Sequence, residues 1–275
     1  MKEASTNKSF IKDTITLIRT LAKNDLKSRF AGSYLGIVWA FMQPIITVLV
    51  YWFVFEMCLT SGTQGTKAGI QAPFVLWLLA GLVPWFYFSD SWSSATSCFC
   101  EYNYLVKKVV FNISILPIVK ILSSLFVHVI LVLFTFFMYT MMGFKLTPYA
   151  LQVVYYSFAM MILSLGLSYI TSAVLVFFKD MREVVNIFLQ VGIWGTPIMW
   201  NIYSPAMHIP GPIMAIIKLN PMFYIVEGYR DSLIGRVGFW EKPALTLYFW
   251  VFTLAVLMLG IFIFRKLKDH FADVL

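Results

Sequence analysis

The chain has 275 residues, 60% of them hydrophobic and only 12% charged, with a formal net charge of +8. That composition is too apolar for a soluble domain of this size. Nor does the charge point to nucleic acid, because the basic residues flank apolar runs as a belt instead of gathering on one soluble face; anionic lipid headgroups account for them.

Residues 1–36 form a basic leader in which Ile11, Ile15, Ile18, Ala22, Leu26 and Phe30 recur every three or four positions. Lys12, Arg19, Lys23 and Lys27 fall mostly on the other faces. This pattern predicts an amphipathic helix lying flat in the membrane interface, either a plain anchor or a gate at a cytoplasmic entrance. Gly32 and Gly36 then loosen the chain for its turn into the bilayer. No cleavable signal peptide is expected, since the first apolar run begins only after this leader.

Six apolar runs follow, at 37–59, 73–89, 116–142, 149–178, 184–199 and 244–264. A hydrocarbon core about 30 Å thick takes roughly 20 helical residues to cross, so the run at 184–199 is short. Gln43-Pro44 predicts a kink in the first span, where Phe41, Val48, Trp52 and Phe55 share a face with Tyr51 beside them. The second run turns polar at Ser89-Asp90-Ser91. An intramembrane Asp costs about 2.5–3.5 kcal/mol, while each central Leu or Phe returns only about 0.3–0.6 kcal/mol. Asp90 is therefore expected to be the most costly buried group and to face protein or water.

The connector after the second span is amphipathic, with Leu105, Val106, Val109 and Val110 set against Lys107 and Lys108. His128 in the third span reads as hydrogen-bonded packing, with no Cys, Asp or Glu at metal-ligand spacing around it. A tight turn, Lys179-Asp180-Met181-Arg182-Glu183, precedes the fifth run, which carries Asn186, Gln190 and Trp194 at four-residue spacing. Such a polar stripe either binds neighbouring helices or lines a wet path. Pro205, Pro210, Gly211, Pro212 and Pro221 then break the chain into apolar pieces too short to cross, as in a re-entrant element between spans five and six. There Glu227, Arg230 and Asp231 fall within one turn, close enough to pair.

Alternate connectors carry the cations. Lys2, Lys8, Lys12, Arg19, Lys23, Lys27, Arg29, Lys107, Lys108, Lys120, Lys179, Arg182, Arg265, Lys266 and Lys268 fall on one side. Lys67, Lys145, Lys218, Arg230, Arg236 and Lys242 fall on the other, completing the 21 Lys and Arg. The positive-inside rule puts the first set, and both termini, in the cytoplasm. Cys58, Cys98 and Cys100 form no disulfide framework, and the Asn112-Ile113-Ser114 sequon falls on the cytoplasmic side. No catalytic set, metal motif or dinucleotide fingerprint is found, and 62–67 has only a faint look of a phosphate loop with the wrong spacing. The expectation is a non-catalytic, all-α polytopic membrane protein with six transmembrane helices.

Several stretches, in order, carry a family resemblance: Tyr34-Leu35-Gly36-Ile37-Val38-Trp39 with Gln43-Pro44; Pro73-Phe74-Val75-Leu76-Trp77 through Gly81; Leu105-Val106-Lys107-Lys108 through Pro117; Phe178-Lys179-Asp180-Met181-Arg182; Asn220-Pro221-Met222-Phe223-Tyr224 with Glu227 and Arg230; and the ending Phe271-Ala272-Asp273-Val274-Leu275. The chain resembles the membrane subunits of type-2 ABC exporters for polysaccharides, most closely those for teichoic acids in Gram-positive bacteria. Asn112 departs from the family, where Pro is usual. The resemblance implies a permease domain at 37–275 preceded by a gate helix at 1–36, and a second copy of the chain. It also implies two cytosolic ATPase subunits that hold the ATP and Mg, a lipid-linked anionic glycopolymer as cargo, and a bacterial plasma membrane.

The resemblance further implies site roles. Glu101, Leu105, Val106, Lys107, Lys108 and Val109, within a coupling helix at about 101–111, would meet the ATPase. Phe41, Tyr51, Trp52, Phe55, Asp90, Asn186, Gln190 and Trp194 would line the export path. Lys23, Lys27 and Arg29 would attract an anionic head at the inner mouth, and Glu227, Arg230 and Asp231 would brace the re-entrant element. Exporters of capsular or O-antigen-type glycans fit the same residues. An ion-driven flippase would need charges in several spans, and a membrane transferase would need an acid, base or metal cluster.

Overall fold

The computed structural model describes residues 2–29, 31–58, 62–66, 69–107, 112–204 and 209–274. The leader is a single helix, α1 (Lys2–Arg29). After Gly32 and Gly36, both at positive φ where a side chain would be strained, a 3-10 turn leads into α2 (Trp39–Trp52). This helix runs through Pro44 and widens into a π-type turn, Phe53–Cys58. An antiparallel hairpin, β1 (Thr63–Gly65) and β2 (Gln71–Pro73), occupies the stretch with the faint phosphate-loop look. Next come α3 (Phe74–Thr96) and two single turns, α4 (Cys98–Glu101) and α5 (Asn103–Val106). Then follow α6 (Leu116–Met141), α7 (Gln152–Phe177) and α8 (Met181–Gly195). The chain closes with α9 (Gly211–Leu219), α10 (Pro221–Arg230), α11 (Pro243–Leu267) and α12 (Phe271–Val274).

Among the described residues, five segments are long and apolar enough to cross a membrane: Gly36–Cys58, Phe74–Thr96, Ile113–Met141, Pro148–Phe177 and Pro243–His270. The fifth predicted run corresponds to α8, whose 15 residues reach about 22 Å at 1.5 Å each. The helix stops because Thr196 precedes Pro197 and takes an extended backbone, the conformation a following proline favours. An irregular stretch continues to Asn201, whose amide donates to the Gly65 carbonyl of the hairpin at 2.8 Å. By contrast, α3 runs past its predicted end at 89 to Thr96. Hydroxyls there fold back onto the helix, Ser94 to the Asp90 carbonyl at 2.6 Å and Thr96 to that of Trp92 at 2.8 Å, so the polar tail adds no unsatisfied hydroxyl to the helix.

The bundle is built around α3 and α7, which are mostly buried, while α2 and α11 are exposed along most of their length. Small polar residues join the two central helices: Ser91 donates to Ser164 at 3.1 Å, and Thr96 and Thr171 share a 2.7 Å hydrogen bond. Where α7 meets α11, a Cβ on Gly260 would lie 2.5 Å from the Gly166 carbonyl oxygen, and one on Gly166 would lie 2.9 Å from the Leu257 backbone. Two backbones in such contact leave no room for side chains. At the end of the bundle that carries both termini, Cys98, Phe99, Val106, Leu116, Tyr169, Phe264 and Phe271 form a second core. Replacing Gly260 with Leu should therefore force α7 and α11 apart. A thermal melt of the detergent-solubilised protein should fall by several degrees, whereas Leu259→Ala on the exposed side should leave it unchanged.

Candidate functional site

Charge pairs organise the termini end. Asp25, in the next-to-last turn of α1, is 2% exposed. Its Oδ1 accepts from Lys120 Nζ at 2.6 Å and from the Tyr102 hydroxyl at 2.8 Å, and its Oδ2 accepts from Arg29 Nε at 3.0 Å. Lys120 also reaches Glu101 Oε2 at 2.5 Å. Arg29 uses a second nitrogen to hold both oxygens of Asp90, at 3.0 and 3.2 Å. Burial alone would raise the Asp25 carboxyl, but the Lys120 hydrogen bond and the charges of Arg29 and Lys120 hold it below its ordinary value. Burial also pulls against the Arg29 guanidinium, yet Asp90 and Asp25 raise it.

Next to this network lies a cavity of about 570 Å³ between the end of α1 and helices α2, α3, α6 and α8, within the roughly 300–1,000 Å³ usual for ligand pockets. Helix α2 presents Trp39, Gln43 and Thr47 to it at four-residue spacing, and α3 presents Trp85, Asp90 and Ser93. From α6 come Ser124 and His128, again four residues apart. The Ser124 hydroxyl has no partner among the described residues. His128 Nε2 lies 2.9 Å from the Tyr229 hydroxyl and 3.1 Å from that of Ser157, so the hydrogen-bonded packing expected of it is present and its ring also borders the cavity. Aromatic walls with scattered neutral hydrogen-bonding groups suit a polar, ring-shaped molecule.

Several expected positions differ. Asp90 is not deeply buried: its side chain is 49% exposed and paired with Arg29, 61 residues away. Among the predicted path residues, Asp90 alone lines the cavity. Tyr51 packs against the core and Phe55 stacks on Phe74 with ring centres 5.4 Å apart, because the aromatic face of α2 turns inward beside Val48. Phe41 and Trp52 are half-buried. Asn186, Gln190 and Trp194 are exposed on α8, meeting neither a neighbouring helix nor the cavity, which α8 touches through Ile193.

The inner basic residues also separate. Lys23 and Lys27 are exposed, whereas Arg29 is committed to two carboxylates, and Lys120 is buried in the core instead of belonging to the lipid-facing belt. The connector is not one continuous helix up to Lys107, since Tyr102 breaks it into α4 and α5. That break turns Val106 inward to 8% exposure, with Leu105 packed beside it; Tyr104, Glu101 and Lys107 face outward. Lys108 and Val109 lie outside the described residues. Asn112 caps the next turn, its side chain accepting from the Ser114 amide.

At the hairpin end, Glu227 and Arg230 pair at 2.9 Å as expected, but Asp231 pairs with Lys242. Arg230 also donates to the Pro197 and Ile198 carbonyls at 2.6 and 2.9 Å and lies 3.4 Å over the Trp77 ring. One buried guanidinium thus fastens the end of the α8 segment to α10 and α3. Sequence reasoning missed Asp25, Trp39, Trp85 and Ser124. The spacing of Ser124 and His128 on one face of an apolar helix was an available signal.

Residues 16–234 match the family described as ABC-2 type transporter. The chain is 27% identical over 263 residues to an O-antigen export system permease protein (RfbA) of Klebsiella pneumoniae, covering 94% of this chain and 95% of that one. It is 26% identical over 258 residues to the polysialic acid transport protein KpsM of Escherichia coli, covering 92% and 93%. A further RfbA, from Myxococcus xanthus, is 25% identical over 214 residues.

The sign of the Asp25 shift sets a pH dependence. A carboxyl whose folded pKa is lowered contributes stability above its ordinary value near about 3.9 and loses it as pH falls through the folded value. Amide exchange at the end of α1, corrected for intrinsic rate, should therefore stay constant from pH 8 to pH 5 and rise only below about pH 4.

Proposed function

The chain belongs to the ABC-2 type transporter family, and on that premise we propose that it is the permease subunit of an ATP-driven exporter of a lipid-linked polysaccharide across the bacterial plasma membrane. The observation that carries this reading is the family match over residues 16–234, together with near full-length similarity to permeases named for glycan export. In this reading the subunit is not catalytic. ATP and Mg belong to two separate ATPase subunits, and two copies of this chain form the membrane part, with both termini cytoplasmic.

The exposed apolar residues on α2 (Ile46, Leu49), the turn that follows it (Phe53) and α8 (Ile187, Val191) support a second copy facing these helices. Exposed Asn186 and Gln190 would then look into the space between subunits, as the wet-path reading requires. Helices α9 and α10 form the re-entrant element on the outer side, braced by Arg230. ATP binding draws the ATPases together against the 98–107 turns, the membrane halves rock, and a path opens. The cavity beside Arg29 and Asp90 then receives a sugar unit: Trp39 and Trp85 offer faces to its C–H side, and Gln43, Thr47, Asp90 and Ser124 offer partners to its hydroxyls. Exposed Lys23 and Lys27 draw the diphosphate of the lipid carrier.

The ending Phe271–Leu275 favours a teichoic acid as the polymer, and the relatives named for O-antigen and polysialic acid favour a capsular or O-antigen-type glycan. Proteoliposomes holding this chain with its ATPase partner separate the two, by following export of polyprenyl-linked polymers with and without backbone phosphate. Export of neither in the presence of ATP overturns the function. For the docking surface, Tyr104→Asp with Lys107→Glu should reduce copurification of the ATPase at least tenfold without lowering the melting temperature of the permease. Val106→Asp should lower stability as well, because that side chain is buried.

A further inference from the structure

The network at the termini end runs without a gap from the 98–107 turns to the mouth of the cavity. Glu101 and Tyr102 sit at one end, Lys120 and Asp25 in the middle, and Arg29 and Asp90 at the other, with every link at 3.2 Å or less. The outermost carboxylates are half-exposed, 47% for Glu101 and 49% for Asp90, whereas the Asp25 and Lys120 side chains are 1% and 5% exposed. The two oxygens of Asp25 are divided by direction. Oδ1 faces the turn through Tyr102 and Lys120, and Oδ2 faces the cavity through Arg29, one helical turn further along α1.

We propose that Asp25 is a positioning residue that converts displacement of the 98–107 turns into movement of α1 and of the Arg29–Asp90 pair at the cavity mouth. This rests on the reading that those turns meet the ATPase. The physical reason is the asymmetry of a buried charge. If the turns shift, Tyr102 directly, and Glu101 through its hold on Lys120 of α6, either carry Asp25 with them or leave an ionised carboxylate short of donors in a dry site. The second outcome is heavily penalised, so α1 follows. Because Arg29 lies on the same rigid helix and holds Asp90, the cavity mouth changes in step. A plain anchor for α1 would need only the buried Asp25–Lys120 pair and the apolar contacts of Ala22 and Leu26. The continuation to Asp90 ties α1 to α3 as well, so a movement of α1 reaches the cavity mouth.

The test uses the permease–ATPase complex in proteoliposomes, with ATP turnover and export of a polyprenyl-diphosphate-linked oligosaccharide measured on one preparation. Asp25→Asn keeps the shape and removes the charge. The complex should assemble and hydrolyse ATP within about twofold of the unaltered protein, while export per ATP falls at least tenfold. Asp25→Glu should recover more than half of that ratio. Should Asp25→Asn not fold, Lys120→Gln cuts the same link from α6 and should give the same fall. An unchanged export-per-ATP ratio in these variants overturns the proposal. So does loss of assembly in both Asp25→Asn and Lys120→Gln, which would make the pair structural only. Failure of the unaltered chain to bind an ATPase or export anything would instead overturn the functional reading, and the two failures are told apart by that control.

Discussion

A carboxylate removed from water must find donors for its lone pairs, and Asp25 finds three on three different parts of the chain: Lys120 on α6, Tyr102 between α4 and α5, and Arg29 on its own helix. That requirement fixes where α1 docks. Apolar contact alone, through Ala22 and Leu26, would let the helix slide along α6, since burial is non-directional. A hydrogen-bonded ion pair has one register. Breaking it by removing one partner costs about 3–5 kcal/mol, whereas the intact pair adds little over a well-packed apolar substitute. The pair therefore specifies an arrangement more than it strengthens one.

The same logic recurs at the opposite end of the bundle. Arg230 replaces a helix's own hydrogen bonding where α8 gives out, donating to the Pro197 and Ile198 carbonyls while Glu227 balances its charge. The irregular backbone after α8 has its carbonyls met inside protein, one of the ways such backbone is tolerated away from water. Between these two charged ends, hydroxyl pairs join α3 to α7 and glycine contacts join α7 to α11, leaving the outward stripes of α2, α6 and α11 apolar. A subunit built in this way is finished inside and unfinished outside.

Much of the architecture was legible because hydropathy over 20 residues is a sum, and sums tolerate local error. The starts and ends of α6, α7 and α11 fall within a few residues of the expected runs. What failed depended on pairwise or phase information. The partner of Asp90 lies 61 positions away, beyond any periodicity. Asp25 borders the apolar face of α1 beside Ala22, and its partner Lys120 lies 95 positions away, likewise beyond any periodicity. Val106 was assigned outward on an assumed continuous helix, but the break at Tyr102 resets the phase and turns it in. The aromatic face of α2 suits a sugar path and a core alike, and within one subunit Phe55 stacks on Phe74.

These corrections change how charge is distributed at the termini end. Arg29 and Lys120 are each matched to carboxylates, whereas Lys23 and Lys27 face outward from α1 and under the proposed function would attract the anionic head. Both sit on the helix that Asp25 holds. The groups that would attract cargo and the groups that would admit it are thus fixed to one rigid element: Lys23 and Lys27 on its wet side, Asp25 and Arg29 on its buried side. Any rotation of α1 moves all four together, so under the proposed function capture and opening would be set as one. A rigid helix with a charge-matched inner face and an unmatched outer face is a sufficient physical basis for linking the two.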